Sequence, residues 1–333
     1  MYGKVRSACL QGIEGQIIEV EVDISSGLPQ INLVGLPDTA IRESVERVRS
    51  AIKNCGFTFP MDRITVNLAP ADLRKEGSSF DLAIAMGILI SSGQVAFQAA
   101  EQTLLVGELA LDGTLRPVAG VLSMVHAAEK MGVKRIVVPA QNAQEAKLID
   151  GVEVYALTRL AQLSTKNDSL WDELLVENKE DACSENMTKH AESSLYGEDF
   201  ADVSGQYQVK RAMMVAAAGM HNMMLIGPPG TGKTMLAKRL PTILPPMSDS
   251  EALEVTKIFS ASGKLADRSA LLRARSFRSP HHTISAAGLV GGGSIPKPGE
   301  VSLAHRGVLF WMSFPNSHEA CWKYCVSPLK TAE

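Results

Sequence analysis

The stretch NMMLIGPPGTGKTMLAKRL, residues 222–240, constrains this chain more than any other. It contains Gly227-Pro228-Pro229-Gly230-Thr231-Gly232-Lys233-Thr234, which fits G-x-x-x-x-G-K-[ST]. The short apolar run 223–226 suits a buried parallel strand, and residues 235–240 continue as a helix. Strand, glycine loop and helix in that order are what a phosphate cradle needs. A triphosphate is a dense anion. Glycines let the backbone wrap it with N–H groups pointing inward, and the helix beginning after Gly232 adds its positive end. The same chemistry assigns Lys233 to the β- and γ-phosphates and the Thr234 hydroxyl to magnesium. ATP and Mg²⁺ are therefore the expected ligands.

Upstream, DFADVSGQYQVKRAMMVAAAGMHN places a polar turn, Val203 to Gln206, ahead of a helix. In P-loop enzymes of the AAA+ type such a turn lies near the adenine, which makes Val203, Gly205 and Gln206 candidates for that role. Downstream, FRSPHHTISAAGLVGGGSIPKPGE holds an adjacent pair, His281 and His282, without a further ligand set, so a loop or subunit contact is expected rather than a metal site. Gly291, Gly292 and Gly293, with Lys297 nearby, suit either a mobile loop that approaches a polyphosphate backbone or an ordinary surface hairpin.

At 333 residues the chain has room for two domains. It is 45% hydrophobic and 21% charged, so a sizeable core can be buried, and a net charge of −3 gives no global basic field. No apolar run is long enough for a bilayer, and the N-terminus has no apolar signal region. The five cysteines form no C-x-x-C pair. Reduced thiols in the cytoplasm, without membrane association, are the expectation.

Residues 1–165 mix strands and helices as an α/β domain. GQIIEVEVDIS and QINLVGL alternate like strands. DTAIRESVERVRSAIKNCG is an amphipathic helix that Asp38 can cap, with Gly56 just past its end. SFDLAIAMGILISSG is an apolar helix, and TLLVGELALDGTLRPV a hairpin turning at Asp112-Gly113. Residues 166–199 carry ten acidic residues against three lysines and read as a solvated linker with a short helix near LWDELLVEN. Residues 200–310 form a second α/β unit with 13 Lys+Arg and 6 Asp+Glu.

GPPGTGKT, FRSPHHTIS and LVGGGSIPKPGEVSLAHRGVLF, together with GLPDTAIRESVERVRSAIKNCG, ITVNLAPADLRKEGSSFDLAIAMGIL and GELALDGTLRPVAGVL, resemble the magnesium-chelatase-like AAA+ ATPases of the YifB/ComM group. The resemblance runs from Met1 to Phe310. It implies a ribosomal-S5-domain-2-like domain, shared with the Lon protease domain, followed by an AAA+ module. It also implies ATP-dependent homo-hexamers and DNA as partner, with branch migration in natural transformation as the family role. In that frame the loop at Gly291, Gly292, Gly293 and Lys297 projects toward a central pore and DNA. The Lon likeness puts Ser79 of KEGSSFD at a nucleophile position, but Leu122 stands where Lon carries its activating lysine. A serine without a base is a poor nucleophile, so the implied domain is non-proteolytic. Porphyrin metallation with partner subunits, and a regulatory nucleotide-binding module without turnover, are the competing roles.

In this family the strand GVLF continues as Leu-Asp-Glu-Leu-Pro-Glu-Phe, whose Asp helps hold Mg²⁺ and whose Glu polarises the attacking water. Here Trp311, Met312 and Ser313 follow instead. The genetic code offers a reason. Trp is only TGG and Met only ATG, so the frame starting one nucleotide earlier reads GAT, Asp, with no codon choice. Leu precedes it, and Glu-Leu-Pro-Glu-Phe-Ser can follow. The expectation is that residues 311–333 are translated out of frame, which removes the acidic pair, the sensor residues, the arginine finger and the helical lid. The chain would then bind ATP–Mg without useful turnover, and its second sheet would lose strands.

Overall fold

The computed structural model describes residues 1–97, 99–164, 170–176, 196–281, 283–292, 296–311 and 324–328. The chain divides into two compact units, Met1–Asn178 with Ser260–Ala270, and Lys179–Phe259 with Leu271–Glu333.

The first unit begins with a long hairpin. β1 (Tyr2–Gln11) pairs antiparallel with β2 (Glu14–Ser25), from Tyr2↔Asp23 to Gln11↔Glu14. The sequence shows β2 by its alternation but hides β1, because β1 turns the small polar Ser7 inward along with Val5 and Cys9. The Ser7 hydroxyl is satisfied by the Leu105 carbonyl at 2.8 Å, so its burial leaves no orphan donor. β3 (Gln30–Val34) follows, then α1 (Thr39–Asn54), β4 (Arg63–Ala69) and α2 (Asp81–Ser91). The expected cap is present. The Asp38 carboxylate accepts the Ile41 N–H at 2.8 Å, and Gly56 at φ +83° ends the helix. Residues 81–89 of α2 are buried on every side, as its apolar run requires.

After α2, β5 (Thr103–Leu105) joins the main sheet, and β6 (Glu108–Leu109) pairs antiparallel with β7 (Leu115–Arg116) around the Asp112-Gly113 turn. Then come α3 (Val121–Lys130), β8 (Arg135–Pro139), α4 (Ala143–Ala146), β9 (Glu153–Leu157) and α5 (Leu170–Leu174). The seven-stranded sheet has the order β3-β4-β2-β1-β5-β8-β9 and is mostly parallel outside its antiparallel centre. This unit runs past residue 165 to Asn178 because Trp171 stacks on Phe97 at 4.4 Å and meets Tyr155 edge-on at 5.7 Å. The Val176 N–H also bonds the Val154 carbonyl at 2.8 Å. A second, sequence-distant piece belongs here as well. The Gly120 N–H donates to the Ser260 carbonyl at 3.1 Å, the Ser260 hydroxyl donates to buried Glu145, and Arg268 donates to the Gln141 carbonyl at 3.3 Å.

The second unit holds α6 (Tyr207–Ala218), β10 (Met223–Leu225), α7 (Lys233–Arg239), α8 (Asp249–Ala261) up to Phe259, β11 (Phe277–Arg278) and α9 (Ala286–Val290). β12 (Gly291–Gly292), β13 (Lys297–Pro298), α10 (Glu300–Leu303), β14 (Val308–Trp311) and β15 (Tyr324–Pro328) complete it. Val203, Met213, Leu225, Leu236, Leu240, Val308 and Phe310 share one apolar cluster. The sheet order is β10-β15-β14-β11. β15 lies in the tail, to which the sequence assigns no place in the fold. It pairs antiparallel with both β10 and β14. Two strands running the same way with a gap between them present unpaired N–H and C=O groups, and an extended segment of almost any sequence can satisfy them. No helix among the described residues is long and apolar enough to cross a membrane.

Candidate functional site: a glycine-rich phosphate cradle

The sequence places a strand before the motif and a helix after it, and the structure has both. β10 ends at Leu225, which is buried, and the chain then emerges. Residues 227–231 are all exposed. Gly230 and Gly232 lie at φ +81° and +80°, a region in which an L side chain is strained. Those two reversals bend the loop back on itself before α7, whose first turn is fixed by the Leu236 N–H on the Gly232 carbonyl at 2.9 Å. Leu236 and Ala237 are buried and anchor the helix behind the loop.

Lys233 leads α7 and folds into the bend. Its ammonium donates to the carbonyls of Gly227 at 2.8 Å and Pro228 at 2.7 Å, and to the Thr231 hydroxyl at 3.2 Å. The Thr231 hydroxyl in turn donates to the Pro228 carbonyl at 3.0 Å. A cation is thus held at the centre of an open loop. Thr234, next on the helix, is exposed. Pro229 lies in the turn at the tip.

The upstream turn has the strained geometry of a built feature. Gly205 is at φ +67° and Gln206 at φ +49°, and the Gln206 carbonyl accepts the Lys210 N–H at 2.9 Å to start α6. The Val203 side chain points into the apolar cluster of the second unit. Any contact it makes with a base would come from its backbone.

At the other end of the cluster, β14 carries Phe310 fully buried against Phe277, with ring centroids 5.9 Å apart. Trp311 closes the strand. Met312 and the residues up to 323 lie outside the described residues, as do the next acidic positions the sequence could supply. No carboxylate occurs in the sequence between Glu300 and Glu319.

The glycine loop is a tight hairpin at its base. A Cβ on Gly291 would sit 2.6 Å from the Lys297 carbonyl oxygen, and one on Gly299 would sit 2.4 Å from the Gly291 nitrogen. Close backbone approach alone explains Gly291. Gly292, at φ +126°, meets nothing, and Gly293 lies outside the described residues, as does His282. His281 pairs through Nδ1 with the Thr283 hydroxyl at 2.8 Å. Beside it, Arg278 makes a two-pronged ion pair with Glu300, both contacts 2.6 Å. That pair ties β11 to α10.

In the first unit, Ser79 is buried, and its hydroxyl donates to the Ala8 carbonyl at 3.1 Å. Leu122 is also fully buried. Lys75, four residues before Ser79, is buried with its ammonium on the Pro70 carbonyl, and burial pulls its pKa down. Burial also pushes the nearby Cys9 thiol up to about 11, so it stays protonated. Two residues after Ser79, burial pushes the Asp81 carboxyl up to about 6, opposed by Arg47, whose Nε lies 2.9 Å away. The Leu109 N–H is a further donor to it, at 3.2 Å. Sequence reasoning singled out Ser79 but not the Ala8 carbonyl that binds it or the Arg47 that pairs with Asp81, since both lie far away along the chain.

Two family profiles match. One is described as subunit ChlI of magnesium chelatase, over residues 20–142, and the other as magnesium chelatase, subunit ChlI, over residues 199–333. The second match extends through the tail. An uncharacterized protein of Mycobacterium tuberculosis is 47% identical over 309 residues, covering 92% of this chain and 59% of its own length. The competence protein ComM of Haemophilus influenzae is 42% identical over 335 residues, 99% of this chain and 63% of its own. YifB of Escherichia coli is 44% identical over 311 residues, 93% and 59% respectively. More distantly, Lon protease 2 of Bacillus subtilis is 26% identical over 160 residues, 43% of this chain and 28% of its own. The chain therefore spans 59–63% of the length of these first three relatives. With both ChlI matches and this identity to ComM and YifB across nearly the whole chain, it belongs among the YifB/ComM-like proteins of the magnesium-chelatase subunit family.

Proposed function

We propose that this chain is an ATP–Mg-binding protein of the AAA+ type, from a group that remodels DNA, and that it grips nucleotide without hydrolysing it at a useful rate. The cradle is the observation that carries the reading. Two left-handed glycines turn the backbone of residues 227–234, and Lys233 already donates into the bend. On binding, the Lys233 ammonium exchanges the Gly227 and Pro228 carbonyls for phosphate oxygens, a stronger charge-assisted pairing. The exposed Thr234 hydroxyl would hold Mg²⁺, which neutralises charge on the phosphates. Gly205 and Gln206 lie ahead of α6 on the side assigned to adenine.

Three features support the lack of turnover. The strand after which a carboxylate pair is needed continues as Trp311-Met312-Ser313. The shifted frame restores Asp there with no choice of codon. The same shift read further on converts Trp322-Lys323 to Leu-Glu and Cys325 to Leu, again with no choice, replacing the rare Trp and Cys by the common Leu. Under this reading β15 is a surrogate strand, and residues 311–333 are an out-of-frame tail on the second unit. The non-proteolytic, S5-like character of the first unit is supported by the buried Ser79 hydroxyl bonded to the Ala8 carbonyl, with Leu122 at the lysine position.

DNA is the proposed partner, from the likeness to a competence protein, with the loop at Gly291, Gly292, Gly293 and Lys297 as its contact and a homo-hexamer as the proposed working form of a full-length chain. A cytoplasmic location is part of the same proposal. A second reading, a chelatase motor acting on porphyrin, is favoured by the description of both matched profiles. Fluorescence anisotropy separates them. Forked DNA should bind in the presence of ATP–Mg, with an affinity that falls as salt rises, while porphyrin should not. Porphyrin binding without DNA binding would reverse the assignment.

A further inference from the structure

The loop at residues 227–231 is open to solvent, yet it is closed upon its own lysine. The Lys233 ammonium is held by the carbonyl oxygens of Gly227 at 2.8 Å and Pro228 at 2.7 Å. At those distances both oxygens face the centre of the bend. A phosphate oxygen is an acceptor too, and it carries negative charge. It cannot take the ammonium's place while two carbonyl oxygens point at it. This conformation and one that holds phosphate therefore exclude each other.

The sequence sharpens the conflict. The two carbonyls belong to the Gly227-Pro228 and Pro228-Pro229 peptides, whose nitrogens carry no hydrogen. Turning either peptide over removes an acceptor from the bend but brings no donor into it. The proline rings also fix φ at 228 and 229. The swing falls on Gly227, the one residue of the three without a side chain, and on the ψ angles of the prolines.

One side chain touches both partners in the contact that must break. The Thr231 hydroxyl donates to the Pro228 carbonyl at 3.0 Å and accepts from the Lys233 ammonium at 3.2 Å. Thr231 is exposed, so water could serve its hydroxyl equally well and burial does not force these bonds. We propose that Thr231 is a latch: its hydroxyl stabilises a closed cradle in which Lys233 fills its own phosphate site, and nucleotide enters only when the latch opens. The proposal rests on the reading of residues 227–234 as an ATP–Mg site and adds its regulation. A cradle that is mostly closed binds more weakly, in proportion to the fraction that is open.

Thr231→Val keeps the branched shape and removes the hydroxyl, at an exposed position where the fold is not at stake. It deletes two hydrogen bonds of the closed form, one of them to a charged group, which should favour opening by about tenfold. Rapid mixing of the full chain with a fluorescent ATP analogue and magnesium reads this directly. For the parent, the observed rate should level off as the analogue rises, with the plateau set by opening. Thr231→Val should raise that plateau about tenfold and tighten binding. Thr231→Ser, which keeps the hydroxyl, should stay near the parent. A second readout uses no nucleotide. Acylation of the Lys233 amine by an N-hydroxysuccinimide ester, located by mass spectrometry, should be faster in Thr231→Val than in the parent and Thr231→Ser. A parent rate that stays linear in analogue, or a plateau that Thr231→Val leaves unchanged, would overturn the latch. Weaker binding by Thr231→Val would overturn it too, by making the hydroxyl a phosphate ligand. Should neither chain bind the analogue, the nucleotide reading falls, and the acylation rates still decide whether Thr231 holds Lys233 closed.

Discussion

Restoring one nucleotide beside the Phe310 codon is expected to raise ATP turnover by about 10²–10⁴-fold, the range associated with a positioned acid–base group. The reasoning starts from β14. This strand is buried at Val308 and Phe310 and lies in the same sheet as β10, which leads into the cradle. A carboxylate at the end of such a strand can face the phosphates, helping to hold magnesium and orienting water. Trp311 and Met312 can do neither, having no negatively charged oxygen to offer. Frame correction supplies Leu-Asp in their place by the code alone, with Glu next when Ser313 is encoded by AGC or AGT. Equal turnover before and after correction would remove the chemical basis of the account, as would a coding sequence in which no adjacent frame reads Asp at this point.

Lys233→Ala is expected to weaken ATP–Mg binding by about 100-fold, since hydrogen bonds to charged groups are worth roughly 1.5–3 kcal/mol each and the ammonium can donate more than one. The fold should survive the change. Lys233 is only half-buried, and its partners Gly227 and Pro228 are exposed carbonyls that water can satisfy. Circular dichroism of the variant should match the parent. An affinity that Lys233→Ala leaves unaltered would mean that nucleotide binds elsewhere.

Local signals carried much of this. The strand, glycine loop and helix around residues 227–234 were legible because every group lies within eight residues, and the contacts of Lys233 with Gly227 and Thr231 are short-range. The Asp38 cap, Gly56 and the Asp112-Gly113 hairpin were legible for the same reason. What escaped depends on distant partners. β1 hides because its buried Ser7 is satisfied by a carbonyl 98 residues away. The extent of the first unit hides because Trp171 finds Phe97, and because Ser260 finds Glu145, 115 residues apart. β15 could not be read from composition, since its backbone pairing with β10 joins segments far apart along the chain. The glycines after Val290 looked like one flexible feature. The structure separates Gly291, needed for a close crossing with Gly299, from Gly292, where an added Cβ would meet open space and only the φ of +126° favours glycine.

Under the proposed reading, gripping nucleotide and cleaving it are separable, and the state of the bound nucleotide reports on both. The chain should be incubated with ATP and magnesium, freed of unbound ligand, and its content released and identified. Near-stoichiometric ATP, still intact after many minutes, is the result predicted. A complex that holds no nucleotide, or one in which ADP has replaced ATP, would contradict it.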